Sequence, residues 1–451
     1  MNNRVGFQGR LRQPVRIMVG GALAVVLAAC GGNNNSTNTQ VPNSFLYAVN
    51  VLGHADYNSY KPNQTSFNGA IGASAATLSN PSGSVATDGS HFYIADTNNH
   101  RILGWNSVPT SAGQSADFII GQSQSDVTTP GTSQTALSYP SKVSISDDGR
   151  LVVADTGNNR VLIWNSLPTS NDVPADIVIG QSDFNSGDPN QDNQAPSGHS
   201  LSNPTAAVIA KNRLFIIDNN NNRMLVWNLT NNPLPTGTGL TATYNVDADF
   251  AWGQPDLINY TPNCGQGTVD PGKGNQIDCY LGNYPISQYS LNQPEDLWTD
   301  GTRLFVSDTS NNRVLFWSQI PLSNLSLPAF VMGQGTFTSG ATGGSGQSGM
   351  SAPYSVASDG SRVFIADTGN NRVLVYDNFP AASAPNADTV LGQNYWNYKT
   401  ANDDNQDQQQ DANPTGRTLS RPTGVFALGG ATEQLFVSDY GNNRVLEFNP
   451  Q

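Results

Sequence analysis

The sequence is poor in charged residues, cysteine and histidine. Only 12% of its 451 residues are charged, and it contains three cysteines and four histidines. No two of the histidines, His54, His91, His100 and His199, have metal-ligand spacing along the chain. It also contains no Gly-x-Ser-x-Gly nucleophile motif, phosphate-binding loop or dinucleotide-binding fingerprint. We therefore predict no catalytic residue and no cofactor.

Basic residues are especially scarce in the body of the chain. Residues 1–29 hold four of the 21 Lys and Arg residues and none of the 34 acids. Without them, 17 basic residues face 34 acidic ones, and the formal charge is −17. Because nucleic-acid phosphates and anionic head groups repel such a chain, we expect no nucleic-acid partner.

The N-terminal apolar run is too short to span a bilayer. Ile17–Ala29 has 13 residues, whereas a membrane helix needs about 20. After an arginine-rich start, such a run is typical of a secretory signal. It ends in Leu-Ala-Ala-Cys30-Gly, which resembles a bacterial lipobox. That resemblance implies cleavage before Cys30 and lipid attachment to its thiol; the alternative is an ordinary signal peptide with an incidental cysteine.

The other two cysteines, Cys264 and Cys279, lie in one loop segment. In an exported protein this pair favours a disulfide. Closing a loop of this size contributes roughly 3 kcal/mol. Two cysteines without a neighbouring histidine do not make a complete zinc site.

An internal repeat organises the rest of the chain. The pattern of Asp155-Thr-Gly-Asn-Asn-Arg160-Val-Leu-Ile-Trp164 occurs six times, with Arg five, Leu seven and an aromatic residue nine positions after Asp. Each copy follows a short β-branched or aromatic run, so it predicts a β-hairpin. Gly and Asn tolerate the positive φ of the turn, and the aspartate can accept backbone N–H groups across it. The structural residues are Asp96, Arg101, Asp155, Arg160, Asp218, Arg223, Asp308, Arg313, Asp367, Arg372, Asp439 and Arg444.

Two further segments also occur six times. One is a Leu-Ser-x-Pro segment, such as Leu137–Pro140, before each hairpin; the other is a strand ending in Gly-Gln, such as Ile177–Gln181. Four short strands repeated six times predict an all-β, six-bladed β-propeller. The last hairpin lacks its own Gly-Gln strand, while an extra copy, ending Gly53-His54, opens the repeat region. We therefore expect residues 46–54 to complete the last blade and close the ring.

The order Asp-x-x-Asn-Asn/His-Arg-Val/Ile-Leu resembles the NHL repeat, and the resemblance extends from Phe45 to Gln451. It implies an NHL-type propeller but no particular activity. We divide the chain into a lipoprotein signal peptide (1–29), a flexible lipid-anchored tether (30–43) and the propeller (44–451). Localisation to the cell envelope follows, at the outer membrane if the cell is Gram-negative.

The function has two competing interpretations. The spacers between Gly-Gln and Leu-Ser-x-Pro vary in length and should cluster on one face, where a protein or glycan partner could bind. The inner strands offer mostly Val, Ala, Ser, Ile and Phe, which favours a non-catalytic binding or scaffold module. The alternative is a channel-centred enzyme, either a calcium-dependent, lactonase-like hydrolase or a lyase. Its candidate Ca²⁺ ligands are Glu295 and Asp296, an acidic pair that a simply solvated surface also explains.

Overall fold

The computed structural model describes residues 46–83, 85–265, 284–429 and 433–449. In these residues the regular structure consists of β-strands and short 3₁₀ turns, and the strands form six sheets. No helix in this part of the chain is long and apolar enough to cross a membrane. The protein is therefore a six-bladed β-propeller, as the repeats predict.

The strands of each blade are named a, b, c and d from the inside outward. The ranges in blades 1 and 2 are Ala86–Thr87, Phe92–Asp96, Arg101–Trp105 and Phe118–Ile120, then Pro140–Ile145, Leu151–Asp155, Arg160–Trp164 and Ile177–Ile179. Those in blades 3 and 4 are Pro204–Ala210, Arg213–Asp218, Arg223–Asn228 and Phe250–Trp252, then Pro294–Thr299, Leu304–Asp308, Arg313–Trp317 and Phe330–Met332. Those in blades 5 and 6 are Pro353–Ser358, Val363–Asp367, Arg372–Tyr376 and Thr389–Leu391, then Pro422–Leu428, Gln434–Asp439, Arg444–Phe448 and Asn50–Leu52.

Neighbouring strands of a blade are antiparallel, and the a strands of successive blades contact one another around the axis. One additional short strand, Ala242–Thr243, comes from the c–d loop of blade 3 and pairs in parallel with strand d of blade 2. The b–c turns lie at one end of the blades, which we call the turn face. Strand c runs away from that face, so the c–d loops lie at the opposite end.

Blade 6 takes its outer strand from the N-terminal side of the propeller. Asn50–Leu52 is antiparallel to strand c of this blade, with Asn50 opposite Glu447 and Leu52 opposite Val445. The same strand also contacts blade 1, because the Val51 carbonyl accepts the Gly113 N–H at 2.9 Å. The phase of the repeats predicts this pairing for residues 46–54.

The hydrophobic core lies between the blades rather than within them. Strand b of blade 2 is buried along its whole length, and both of its faces contact a neighbouring sheet. On one side, for example, Val152 and Ile163 pack with Leu214 and Trp227 of blade 3. Burying each large apolar side chain stabilises the fold by about 1.5–3 kcal/mol. The continuous apolar runs of strands b and c therefore reflect sheets that are covered on two faces.

The b–c turns differ in detail from the predicted hairpin. Each is a 3₁₀ turn that ends in a left-handed residue, such as Asn159 at φ 51°. The residue with positive φ is thus the second asparagine, or His100 in blade 1, and not the glycine. Gly157 allows a close approach in blade 2, where a Cβ would lie 2.5 Å from the Ser138 hydroxyl oxygen, although asparagine or serine takes this position in blades 1, 3 and 4.

Candidate functional site

All six repeated Asp–Arg pairs form the same buried ion pair. The arginine Nε lies 2.6–2.8 Å from the aspartate Oδ2, and both side chains are fully buried in every blade. In blade 2 the Arg160 guanidinium also donates to the carbonyls of Phe184, Ser133 and Ala136. These carbonyls belong to the spacers on either side, so each arginine fastens two spacers to its hairpin. In the structure, the Asp–Arg pairs thus join each hairpin to its neighbouring spacers.

The prediction that the repeat aspartate accepts backbone N–H groups across its own turn is wrong. Asp155 Oδ1 accepts the N–H of Ser138 at 2.7 Å, and Oδ2 accepts Asn158 Nδ2 at 2.8 Å. The backbone group is therefore in the preceding Leu-Ser-x-Pro segment and not across the turn. This bond fixes the start of strand a against the end of strand b.

The Gly-Gln segments link the blades to their turns. Gln181 Nε2 donates to the carbonyls of Asn159 and Asp188, each at 2.9 Å. Asn159 Oδ1 in turn accepts the backbone N–H of Asn203 in the next blade at 2.7 Å. Asn and Gln residues of the repeat thus bond neighbouring blades together, while the side-chain oxygens of Gln254 and Gln393 are buried without a hydrogen-bond partner.

Two histidines replace these amides. His54 occupies the position of the glutamine in blade 6, with its ring nitrogens 2.7 Å from the Gln64 carbonyl and 3.0 Å from the Asn442 carbonyl. His100 takes the place of the asparagine in blade 1, and its Nδ1 accepts the Tyr139 N–H at 3.0 Å. Burial lowers the pKa of both histidines. Their positions in the repeat explain them as structural residues.

The candidate acids Glu295 and Asp296 lie at the axis but have different surroundings. Asp296 is buried and ion-paired with Lys142 of blade 2, whose ammonium also donates to the Leu297 carbonyl at 2.9 Å. Its second oxygen accepts the Ser355 hydroxyl at 2.6 Å. Asp296 thus joins blades 2, 4 and 5 across the channel, and its oxygens are occupied.

Glu295 is less completely paired than Asp296, with Tyr354 and Asn219 as its hydrogen-bonding neighbours. Part of the residue is exposed, but its Oε2 atom is buried and has no hydrogen bond within the structure. Burial raises the pKa of Glu295 to about 8, and the Asp296 charge adds to this, while hydrogen-bonding groups of Tyr354 and Asn219 act in the opposite direction. A carboxyl group with such a pKa is largely neutral at pH 7.

Tyr354 extends this polar group across the axis. Burial and the Glu295 charge raise the pKa of its phenol well above the usual value, and the hydroxyl lies between Ser82 and Glu295. We call Glu295, Tyr354, Asn219 and Ser82 the axial cluster. Other residues that follow the strand-a prolines have hydroxyls bonded to the neighbouring blade, as Ser141 has to the Thr205 carbonyl at 2.8 Å. The axial cluster therefore differs from the rest of the ring.

Sequence reasoning found Glu295 and Asp296 but missed Lys142 and Tyr354. One sequence feature could have identified Lys142, because Lys142, Glu295 and Asp296 are the only charged residues in the six a strands. The pairing of Lys142 with Asp296 across the axis, 154 residues apart, could not be predicted from sequence spacing. Among the described residues, no group of three or more His, Cys, Asp or Glu side chains could hold a metal ion.

The axis is different at its other end. There the a strands surround a cavity of about 150 Å³ whose walls are mainly aliphatic, including Val208, Leu297 and Val356. Small and apolar residues thus line this part of the channel, as predicted. The Lys142–Asp296 pair lies between the cavity and the axial cluster.

The turn face carries exposed apolar and aromatic side chains. Six residues of its spacers and turns are 36–63% exposed to solvent: Tyr60, Phe67, Ile71, Tyr139, Ile258 and Tyr260. Two of the spacers are fastened to the turns below them, since Asn443 and Asn222 donate to the carbonyls of Tyr60 and Tyr260. This face therefore combines a fixed backbone with accessible rings.

The acidic spacer of residues 402–411 is folded by its own contacts. Asp404 is ion-paired with Arg417 at 2.7 Å, and Asp403 accepts the backbone N–H groups of Asp407 and Gln408. Its oxygens are thus largely engaged. Cys264 is buried, but Cys279 and Cys30 lie outside the described residues, so the disulfide and the lipid attachment stay predictions.

Comparison with known proteins agrees with this architecture. The family model for the NHL repeat matches residues 137–164, which contain the Leu-Ser-x-Pro segment and the hairpin of blade 2. The six sheets define a β-propeller. Its second blade carries an NHL repeat. No curated protein matches the chain.

Solved structures resemble the chain only distantly. They include Kuenenia stuttgartiensis hydrazine synthase (13% identity, TM-score 0.41, covering 82% of this chain and 96% of that one) and a streptogramin B lyase (13%, 0.39, 87% and 98%). A further one is the PQQ-bound aldose sugar dehydrogenase of Streptomyces coelicolor (14%, 0.39, 83% and 95%). At this level of similarity they support no inference about activity.

Proposed function

We propose that the protein is a cell-envelope lipoprotein whose propeller is a non-catalytic binding module, with a protein or glycan partner bound at the turn face. The observation that carries this proposal is the set of exposed rings on that face, beside repeat residues that are buried in structural bonds. Exposed aromatic side chains on a rigid frame are typical of recognition surfaces.

The repeat chemistry supports a binding role over a catalytic one. The buried Asp–Arg pairs, the N–H groups of the Gly-Gln amides and the turn asparagines are occupied between and within blades. What varies between blades is the spacers, and these form the turn face. Variable segments on a fixed scaffold are where specificity usually resides.

The partner surface can be tested with two sets of substitutions. One variant replaces Tyr60, Tyr139 and Tyr260 by Ser on the turn face. The matched control replaces Leu322, Leu325 and Leu327 by Ser; these leucines are 44–70% exposed in a c–d loop at the opposite end. Both variants and the wild-type protein are cross-linked in intact cells and purified, and the captured proteins and glycans are identified. We expect the tyrosine variant alone to lose its partner, and equal capture by all three proteins contradicts the proposal.

Export and anchoring need a separate test. We infer that residues 1–29 are removed and that Cys30 carries the lipid at the end of the 30–43 tether. In this case Cys30→Ala moves the protein from the membrane fraction to the soluble fraction and abolishes incorporation of labelled fatty acid. Membrane association that survives this substitution argues against the anchor.

The alternative, a channel-centred enzyme, has one observation in its favour. Glu295 is an acid at the axis whose pKa is raised to about 8 by burial, and shifted carboxyls occur at catalytic sites. Metal analysis of purified, delipidated protein distinguishes the alternatives. Stoichiometric calcium or zinc that is lost in Glu295→Gln favours the enzyme.

A further inference from the structure

We infer that the axial cluster of Glu295, Tyr354, Asn219 and Ser82 is a subsite for a neutral, hydroxyl-bearing ligand, with a sugar residue as the fitting class. The inference rests on the proposed binding role of the turn face. It names the class of ligand that the centre of that face would bind. The partner of this site is then a glycan, whether free or attached to a protein.

The cluster is built by four separate blades. Glu295 and Tyr354 follow the first prolines of strand a in blades 4 and 5, Asn219 begins the b–c turn of blade 3, and Ser82 precedes strand a of blade 1. Glu295 and Tyr354 lie at the register shifts that open strand a of their blades, and Asn219 lies in a 3₁₀ turn. The Ser82 N–H donates to Thr97 Oγ1 at 3.0 Å. The polar groups therefore converge on the axis without a loop that must fold on binding, which lowers the entropic cost of recognition.

Glu295 Oε2 is one of six buried side-chain polar atoms in the described residues that have no hydrogen bond, and it is the one on an a strand. Its place at the axis points to an external partner. Buried polar atoms in folded proteins are nearly always hydrogen-bonded, and an unsatisfied one costs about 1–3 kcal/mol. Asp296, the next residue, shows the contrast, since one oxygen contacts Lys142 and the other accepts the Ser355 hydroxyl. A ligand that bonds to Glu295 Oε2 removes this cost.

The electrostatics favour a neutral ligand over a cation. The charge of Asp296 is balanced by Lys142, and the cation of Arg421 lies 5.2 Å above the ring of Tyr440, which is itself a neighbour of Tyr354. Because burial keeps the Glu295 carboxyl largely protonated at pH 7, Glu295, Tyr354 and Ser82 offer uncharged donors and acceptors. The side chain of Asn219 donates to the Pro294 carbonyl at 2.9 Å and positions the cluster rather than binding the ligand. A hydroxyl group both donates and accepts, so vicinal hydroxyls of a sugar match this set.

The test measures saccharide binding directly. A glycan array is probed with the whole mature protein, and positive neutral sugars, starting from glucose, galactose, mannose and N-acetylglucosamine with their oligomers, are titrated calorimetrically. We expect Glu295→Ala and Tyr354→Phe to weaken binding at least tenfold. Glu295→Gln, which keeps a donor and an acceptor, should stay within threefold at pH 7. Glu433→Gln, at an exposed acid, is the matched control.

A pH profile separates direct contact from a structural effect. Wild-type affinity should fall as the pH rises through 8 and Glu295 ionises, whereas the affinity of Glu295→Gln should not change. Binding of methylammonium or lysine in place of sugars, or an affinity that rises with pH, overturns the inference. If no saccharide binds but the tyrosine variant of the turn face still loses its partner, the subsite is wrong and the binding function stands; if neither result is obtained, both proposals fail.

Discussion

At the scale of single residues, the buried Asp–Arg pairs hold each hairpin of the repeat to its spacers. Removing two charges from water is costly, and in blade 2 it is offset by the bonds of Asp155 to Ser138 and Asn158 and by those of Arg160 to three carbonyls. The pair is therefore tolerated only as a complete network. Removing one member leaves the other buried and unpaired.

We expect Arg160→Met to lower the free energy of unfolding by about 3–5 kcal/mol, because Asp155 then lacks its counter-charge. Denaturant unfolding followed by tryptophan fluorescence measures the change. Arg213→Met is the control, at a partly exposed arginine, and should change stability by less than about 0.5 kcal/mol. Equal effects of the two substitutions would mean that the ion pair is not important for stability.

The residue types of this network, but not their partners, could be predicted from the sequence. Fixed spacing identified Asp155 and Arg160 as structural. It could not identify Ser138, which is 17 positions away, because a strand and a loop intervene. Lys142 and Tyr354 were missed for the same reason, since each meets its partner only across the axis.

At the scale of elements, the Gly-Gln segment joins strand d to the next blade. Gly180 has φ 96°, and a Cβ there would lie 2.6 Å from Leu201 Cδ1 in the following Leu-Ser-x-Pro segment. The glycine thus permits close approach while Gln181 bonds back to the turn at Asn159. This explains why the two short segments occur together six times.

His54 is the exception among these glutamines, and it should make stability depend on pH. Burial lowers its folded pKa, so the folded state favours the neutral ring. Its contribution is complete above the unfolded pKa of about 6.5 and is lost as the pH falls below that value toward the folded pKa. We expect His54→Gln, which supplies two amide hydrogens for the same two carbonyls, to remove this part of the acid sensitivity.

Unfolding midpoints between pH 5 and 8 test the prediction. His91→Gln is the control, because His91 is partly exposed and contacts Asp88 near the surface. If the wild-type protein instead gains stability relative to His54→Gln as the pH falls, the ring is an imidazolium that donates to both carbonyls, and our assignment is wrong.

Strands were easier to predict than turns and loops. Apolar runs of strands b and c are long and covered on both faces, so their pattern is unambiguous. The 3₁₀ turn was read as a simple hairpin because its glycine and asparagine suit several turn types. The short strand Ala242–Thr243 gave no signal, since it is partly exposed and pairs with a different blade.

At the scale of the whole molecule, the ring joins its two ends through one short strand. Val51 is fully buried, pairs with Leu446 of blade 6, and bonds through its carbonyl to Gly113 of blade 1. Val49, two residues earlier, is 54% exposed. This contrast provides a matched pair of substitutions.

We expect Val51→Ala to lower the free energy of unfolding by about 2–4 kcal/mol, because its side chain packs between blades 5 and 6 and the substitution leaves a cavity there. Val49→Ala should have an effect below about 0.5 kcal/mol. Denaturant unfolding measures stability, and amide hydrogen exchange of blades 5 and 6 reports local opening. If Val51→Ala is as stable as Val49→Ala, the strand does not contribute to holding the ring together.

The blade number could be predicted because the repeats are counted along the chain. Ring architecture followed from the extra Gly53-His54 segment, whose phase makes sense only beside the last hairpin. The axial site could not be predicted in the same way. It is formed where four blades meet, and each contributes only one or two polar residues to an otherwise apolar set of inner strands.

The Lys142–Asp296 pair has a consequence for traffic along the axis. It joins blades 2 and 4 across the channel, and Ser355 of blade 5 binds the same carboxylate. A solute that enters between Glu295 and Tyr354 meets this bonded group before the aliphatic cavity beyond. We therefore expect the polar and the aliphatic ends of the axis to be entered from different faces of the propeller.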